Sequence, residues 1–229
     1  MPDTRLMRLH TNALYRFTPE GKLLAANRWD GGEAPRAYLA RTPDTHYWFF
    51  RHDLPTTVCD SLLRLGIPPE GDINNDTFES ACLQIVSRHA PIQEVGGGPA
   101  YAFPTSTQPD AGNIARITPS NAHLLAADMA DWLPDVPHCQ PFFACLEDGR
   151  AVAVCASVRI SGAADEAGVE TIAGSRRRGY ATAVIRAWAH AVVAAGKVPL
   201  YSTSWDNQAS QQVAAGLGLA LIGSDFHIR

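Results

Sequence analysis

The sequence predicts an α/β chain built around a mixed sheet, with an N-terminal α+β region (1–98) followed by a second unit (99–229). Three observations carry that reading. Past Asn113, strand-like and helix-like patterns alternate in a regular order. A two-residue hairpin signal, Asp148-Gly149, joins two apolar strands. The run Ser175-Arg176-Arg177-Arg178-Gly179-Tyr180-Ala181 then stands between an apolar strand and a long amphipathic helix pattern. An Arg-x-x-Gly-x-Ala turn there aims backbone N–H groups and a helix N-terminus at one point, which suits a phosphate-bearing ligand.

In the first region, Ala13 to Phe17, Lys22 to Trp29, Arg36 to Arg41 and His46 to Arg51 read as strands punctuated by Gly21, Gly31-Gly32 and Pro43-Asp44. Two helical stretches follow, Thr56 to Leu65 and Thr77 to His89, each with apolar residues on one face. Gly96-Gly97-Gly98-Pro99 is the clearest flexible punctuation and the expected boundary, although three glycines also suit a wide turn inside one sheet. A strand, Ala100 to Phe103, precedes a polar loop from Thr105.

Beyond Asn113, a strand (Ile114 to Thr118) leads to a helix that Ser120 can cap, with Leu124, Leu125 and Met129 apolar. Trp132-Leu133-Pro134 ends it. In the hairpin from Phe142 to Arg159, simple register sets Glu147 opposite Arg150, Cys145 opposite Val152 and Cys155 opposite Phe142, so the two strand cysteines do not face each other. A strand from Glu166 to Ile172, the arginine turn, and a helix from Gly179 to Ala195 come next. In that helix Ala181, Val184, Ile185, Trp188, Val192 and Ala195 follow helical spacing. A strand (Val198 to Thr203), a helix (Gln208 to Ala215) and a strand (Leu219 to Ile228) finish the chain.

Composition narrows the function classes. A net charge of −4 argues against a nucleic-acid binder driven by a global positive field. No apolar run approaches the roughly 18–20 residues of a membrane helix, and Met1-Pro2-Asp3-Thr4-Arg5 lacks a signal-peptide core. Five cysteines without paired spacing fit reduced thiols in a cytoplasmic protein. His138-Cys139 has no second ligand pair nearby, so no metal site is expected. The turn lacks the Gly-x-Gly-x-x-Gly of a dinucleotide fold and the Gly-Lys-Ser/Thr of a Walker loop.

Four pieces together resemble the GNAT acyltransferase superfamily: Val169-Glu170-Thr171-Ile172, Arg176-Arg177-Arg178-Gly179-Tyr180-Ala181, Asn207-x-x-Ser210 and Gly216-Leu217-Gly218-Leu219. The resemblance covers about Asn113 to Arg229 and extends to the order of elements. It implies a GNAT-like acyl-CoA-binding fold, with acetyl-CoA as cosubstrate and a primary amine as acceptor. Partners are then acyl-CoA and that amine, with a homodimer as an option, and neither nucleic acid nor membrane. In such a protein the coenzyme diphosphate rests on the N–H groups from Arg177 to Thr182. Gly179 allows close approach, Ala181 keeps the helix start narrow, and Arg176, Arg177, Arg178 add charge. Tyr180 belongs to the same turn. The pantetheine arm is expected along Thr171, Ile172 and Ala173, with Asn207 and Ser210 reaching from the far side.

For a lysine-like amine, about one molecule in 2,500 is neutral at pH 7, so a general base is expected. Glu170 is the first choice, with Glu166 on the same strand face and Asp165 and Thr171 on the other. The resemblance also implies a tyrosine acid seven residues after the Asn. Ala214 stands there instead, so either Tyr201, Ser202, Ser204 or Asp206 protonates the departing thiolate, or it leaves unassisted or with help from water, since thiols have a pKa near 8.5. No cysteine has a recognisable basic partner, which favours direct transfer over an acyl-enzyme. Asp225 and His227 alternate on the last strand and either pack or line an acceptor pocket. Two rival readings are a catalytically weak acyl-CoA-binding module and an N-terminal interaction domain on a GNAT scaffold. In the main reading, 1–98 covers the acceptor site.

Overall fold

The computed structural model describes residues 2–67, 76–104, 113–125 and 128–229. It opens with a helix that the sequence pattern did not suggest, α1 (Pro2–Leu14). Pro2 and Asp3 suit a first turn, but the buried face mixes Met7 and Ala13 with the polar His10 and Thr11. That mixture hides the apolar stripe from a periodicity count. As a result only Tyr15 to Phe17 of the expected first strand is extended, as β1 (Tyr15–Phe17), paired with β2 (Leu23–Ala26).

The remaining strands form one nine-stranded sheet. In chain order they are β3 (Ala37–Arg41), β4 (His46–Phe50), β5 (Val95–Ala102), β6 (Ile114–Arg116), β7 (Phe142–Glu147), β8 (Arg150–Ile160), β9 (Ala164–Thr171), β10 (Val198–Ser202) and β11 (Ala220–Ile228). Their spatial order is β4-β3-β11-β5-β10-β9-β8-β7-β6. Helices α2 (Thr56–Leu63) and α3 (Asp76–Ser87) connect β4 to β5, α4 (Tyr180–Ala194) connects β9 to β10, and α5 (Gln208–Gly216) connects β10 to β11.

The glycine run expected to break the chain is strand. Gly96 to Gly98 lie inside β5, between β11 and β10. The glycines are there because the backbones crowd together. A Cβ on Gly98 would overlap the Thr203 carbonyl oxygen and sit 2.8 Å from Ser204 Cα, and one on Gly97 would overlap the Asp225 carbonyl oxygen. Close approach, one of the two reasons for glycine in a strand, applies here. The sheet therefore continues across the junction at 98/99.

Two further expectations change. Cys145 faces Ala153 and Cys155 faces Phe143, because a bulge between Cys145 and Leu146 makes Val152 an extra residue in β8; Glu147 still faces Arg150. All five cysteines are free and buried. The helix expected from Ser120 is a pair of 3-10 turns, Pro119–Leu125 and Ala130–Asp135. Asn121 holds a non-helical backbone there by accepting the Thr118 N–H at 2.7 Å and donating to Arg116 O at 3.0 Å. The polar loop from Thr105 lies outside the described residues, apart from Asn113.

Layers follow from strand alternation. On one face α4 buries Val184, Ile185, Trp188 and Val192 against Ala153, Cys155 and Tyr201, with Ala214 of α5 in the same cluster. Truncating a buried Trp such as Trp188 to Ala costs about 3–5 kcal/mol. At the other end of that face, Leu62 of α2 and Phe78, Cys82 and Val86 of α3 cover Leu39, Phe226 and Ile228. The opposite face carries α1 over Tyr38, Ala100 and Leu200, and the 3-10 turns over Phe142, Val154 and Ala156.

Candidate functional site

The site begins where two strands part. Parallel pairing of β9 with β10 spans only Ala164 to Glu166 against Val198 to Leu200. Beyond it β9 stays with β8, while the chain after β10 stays with β5 through Thr203 N–H to Pro99 O and Trp205 N–H to Gly97 O. A gap opens between Ala167–Thr171 and the end of β10. The Ile172 N–H bonds back to Val152 O at 3.0 Å, so Ile172 faces β8. Alternation then turns the main-chain groups of Val169 and Thr171 toward the gap. Thr171 Oγ1 is buried without a partner. Ala173 to Ser175 form a 3-10 turn.

The arginine turn closes one end of this gap. Arg177 (φ 61°) and Gly179 (φ 83°) both adopt left-handed backbone, and Gly179 caps α4. The first turn-forming bond is from Ala183 N–H to Gly179 O. Among the described residues, no acceptor takes the N–H groups of Arg177, Arg178, Gly179, Tyr180, Ala181 or Thr182. Left-handed residues interleaved in a turn before a helix converge such donors into an anion-binding concavity.

The arginines have different fates. Arg176 Nε donates to Thr171 O at 3.2 Å, which ties the turn to the end of β9. Arg178 holds Glu147 with both terminal nitrogens, at 2.7 and 3.1 Å, and the Tyr180 hydroxyl donates to the same carboxylate at 3.1 Å. Across the gap, Asn207 caps α5 by accepting the Ser210 N–H at 3.0 Å. The Ser210 hydroxyl meets that of Tyr201, which reaches it from β10. Burial raises the Tyr201 pKa, with Ser210 pulling the other way, so the phenol keeps its proton at neutral pH.

The carboxylates of β9 separate by environment. Asp165, on the α4 face, is buried between Ser157 Oγ at 3.0 Å and Lys197 Nζ at 2.9 Å, a structural pair. Glu170 is exposed on the opposite face and accepts the Trp132 indole N–H at 2.6 Å. Glu166, at the last paired position before the gap, is buried and taken up by His10 Nδ1 of α1, with Ser202 Oγ at 3.3 Å on its other oxygen. His10 Nε2 faces Asp225 Oδ2 at 3.7 Å, and Asp225 Oδ1 faces His227 Nδ1 at 3.2 Å. Burial opposes a charge on His10, but the Glu166 and Asp225 carboxylates outweigh it and raise its pKa to about 10. Burial likewise opposes ionisation of Asp225, and its histidine neighbours hold its pKa below the usual value. The imidazolium between two carboxylates clamps α1 to the sheet beside the gap.

Sequence reasoning brought the turn, Asn207, Ser210, Tyr201, Glu166 and Glu170 to one region, and the structure gathers all of them around the gap. It missed His10, Trp132 and Glu147. These come from an unrecognised helix, a 3-10 turn and a hairpin end, and no local signal marks them. Ala214 is fully buried among apolar residues, so the α5 position that lacks a tyrosine faces core. Asp225 packs against His10, His227 contacts Asp225, and both line a cavity of about 500 Å3 where β5 begins and β11 ends.

A mixed sheet that splits between two parallel strands, with a donor-rich turn at the split, is a GNAT-like fold. Residues 143–224 match the family model described as GNAT acetyltransferase. Among solved structures, a GNAT-family protein from Novosphingobium aromaticivorans aligns with a TM-score of 0.51 and 19% identity, over 60% of this chain and 66% of that one. This chain thus spans just under two thirds of that protein. An acetyltransferase from the GNAT family of Colwellia psychrerythraea aligns with a TM-score of 0.50 and 14% identity, over 80% and 76% of the two chains. At these identities the likeness establishes the fold. Comparison with curated protein sequences returns no match.

Proposed function

We propose that this protein is an N-acetyltransferase that moves an acetyl group from acetyl-CoA to a primary amine by direct attack in a ternary complex. The fan of unclaimed N–H groups from Arg177 to Thr182, at the mouth of the β9–β10 gap, is the observation that carries the reading. These donors hold the diphosphate, with Arg176 and Arg177 adding charge. Val169 and Thr171 offer main-chain partners to an extended arm lying in the gap, and Asn207 and Ser210 border it opposite. The coenzyme supplies the acetyl group as a thioester.

The chain's own residues then divide the proton work. Glu170 accepts the proton of the attacking ammonium through solvent, being the β9 carboxylate that no cation neutralises. The neutral amine nitrogen bonds to the thioester carbonyl carbon and the carbon–sulfur bond breaks; the Tyr201 phenol protonates the departing thiolate, and its phenolate regains a proton, through solvent, from the nitrogen of the new amide. Glu166, engaged by His10, anchors the strand beside this chemistry. Burial raises every cysteine pKa, those of Cys82 and Cys139 to about 12, which supports direct transfer over an acyl-cysteine.

Calorimetric titration with acetyl-CoA and thiol release with a panel of amines test this. Gly179→Asp, which sets a Cβ and a negative charge on left-handed backbone at the donor fan, is expected to weaken coenzyme binding at least 10-fold; undiminished binding refutes the phosphate turn. Glu170→Gln is expected to lower kcat by about 10²–10⁴-fold, and Tyr201→Phe to lower kcat with KM kept. Coenzyme binding without thiol release for any amine favours the catalytically weak module, the reading that Ala214 supports.

A further inference from the structure

The 500 Å3 cavity at the end of the sheet holds a buried guanidinium that forms no ion pair among the described residues. Arg41 ends β3, is only 9% exposed, and lays its guanidinium over the Phe78 ring at 5.0 Å. Its Nε has no hydrogen-bond partner, and among the described residues no carboxylate forms an ion pair with it. Burial pulls its pKa below the ordinary value, against the opposing influence of Cys82 and Glu79. A desolvated guanidinium is costly unless an anion meets it, and a planar five-donor fork suits a carboxylate.

The rest of the cavity restricts that anion. Glu79, Glu94, Asp206 and Asp225 share the lining with His227, which disfavours a multiply charged phosphate and suits a ligand that carries a positive end as well as a carboxylate. Trp205, partly exposed, offers an apolar wall to the same cavity. Position sets the length. Arg41 pairs with Ser224, Ser224 with Pro99, and the Pro99 carbonyl accepts the Thr203 N–H at the gap. Those three inter-strand steps amount to about 14 Å, far more than separates the amine and carboxylate of an α-amino acid.

We propose that this cavity is the acceptor site and that the acceptor is an ω-amino carboxylate, its carboxylate on Arg41 and its distal amine directed to the β9–β10 gap. The assignment rests on the acetyltransferase reading for the amine's fate, but the carboxylate subsite is measurable without turnover. An NMR titration following the Trp205 indole N–H compares 8-aminooctanoate, 8-aminooctanamide and glycine. The acid is expected to bind at least ~10-fold more tightly than its amide or glycine. Arg41→Gln is expected to abolish that preference with only a small fall in Tm, since the guanidinium gives up its stacking on Phe78. Equal binding of acid and amide by the native protein, or a preference that survives Arg41→Gln, overturns the inference. If the variant does not fold, the acid–amide comparison in the native protein decides. Carboxylate-selective binding without thiol release leaves the subsite standing and removes the acetyltransferase reading. Thiol release without carboxylate preference does the reverse.

Discussion

Replacing His10 by Gln tests how the N-terminal helix is joined to the nine-stranded sheet. His10 is fully buried, and the charged groups facing it are Glu166 of β9 and Asp225 of β11, with His227 beyond Asp225 and the Tyr38 hydroxyl on β3. Its pKa in the fold is about 10, against 6.5 for the unperturbed side chain. At pH 7 the folded protein therefore holds a proton that the unfolded chain mostly lacks. The stabilisation is complete below about pH 6.5 and declines as pH rises toward 10, by up to about 1.4 kcal/mol per pH unit. Between pH 6.5 and 8, below the thiol and phenol range, this amounts to roughly 2 kcal/mol. Removing the cation also strands two buried carboxylates, so His10→Gln is expected to lower stability at pH 6.5 by about 3–5 kcal/mol. Urea unfolding of both proteins at pH 6.5, 7.25 and 8 reads both effects. The native protein should lose stability across the series more steeply than the variant. Parallel pH dependences, or a variant as stable as the native protein at pH 6.5, would refute a charged clamp.

Two further expectations rest on single contacts. Gly98→Ala places a methyl group into the Thr203 carbonyl and is expected to cost at least ~3 kcal/mol or prevent folding, whereas Gly174→Ala, with open space at its Cβ, should stay within about 0.5 kcal/mol; equal melting temperatures for the two variants would contradict the crowding of β5 against the end of β10. Glu147→Ala frees Arg178 and removes a negative charge beside the donor fan, so acetyl-CoA should bind ~2–10-fold more tightly at low salt, with the gain fading at high salt; weaker binding would mean that Glu147 instead positions Arg178.

What was legible in the sequence was local. The alternating strands, the Asp148-Gly149 turn, the stripe of α4 and the Arg-x-x-Gly-x-Ala turn depend on neighbours within a few residues, so pattern and backbone preference reveal them. The Gly96–Gly98 run shows where this stops. Glycine marks both flexible breaks and close backbone approaches, and only the positions of Thr203 and Asp225 distinguish the two. The Ser120 helix gave way to 3-10 turns because Asn121 spends its side chain on the Thr118 and Arg116 backbone, a competition that spacing does not display.

The sequence by itself therefore determined the donor turn, the chemistry it suits and the class of fold. Tertiary structure alone decided which carboxylate is free. Glu166 and Glu170 share one strand face, yet one is neutralised by a histidine 156 residues away and the other is left to solvent. It also decided that residues before the glycine run complete the sheet, and that the Arg41 Nε lies buried without a hydrogen-bond partner among the described residues. These facts depend on burial and on charges brought together from distant parts of the chain, and no window of sequence contains both partners.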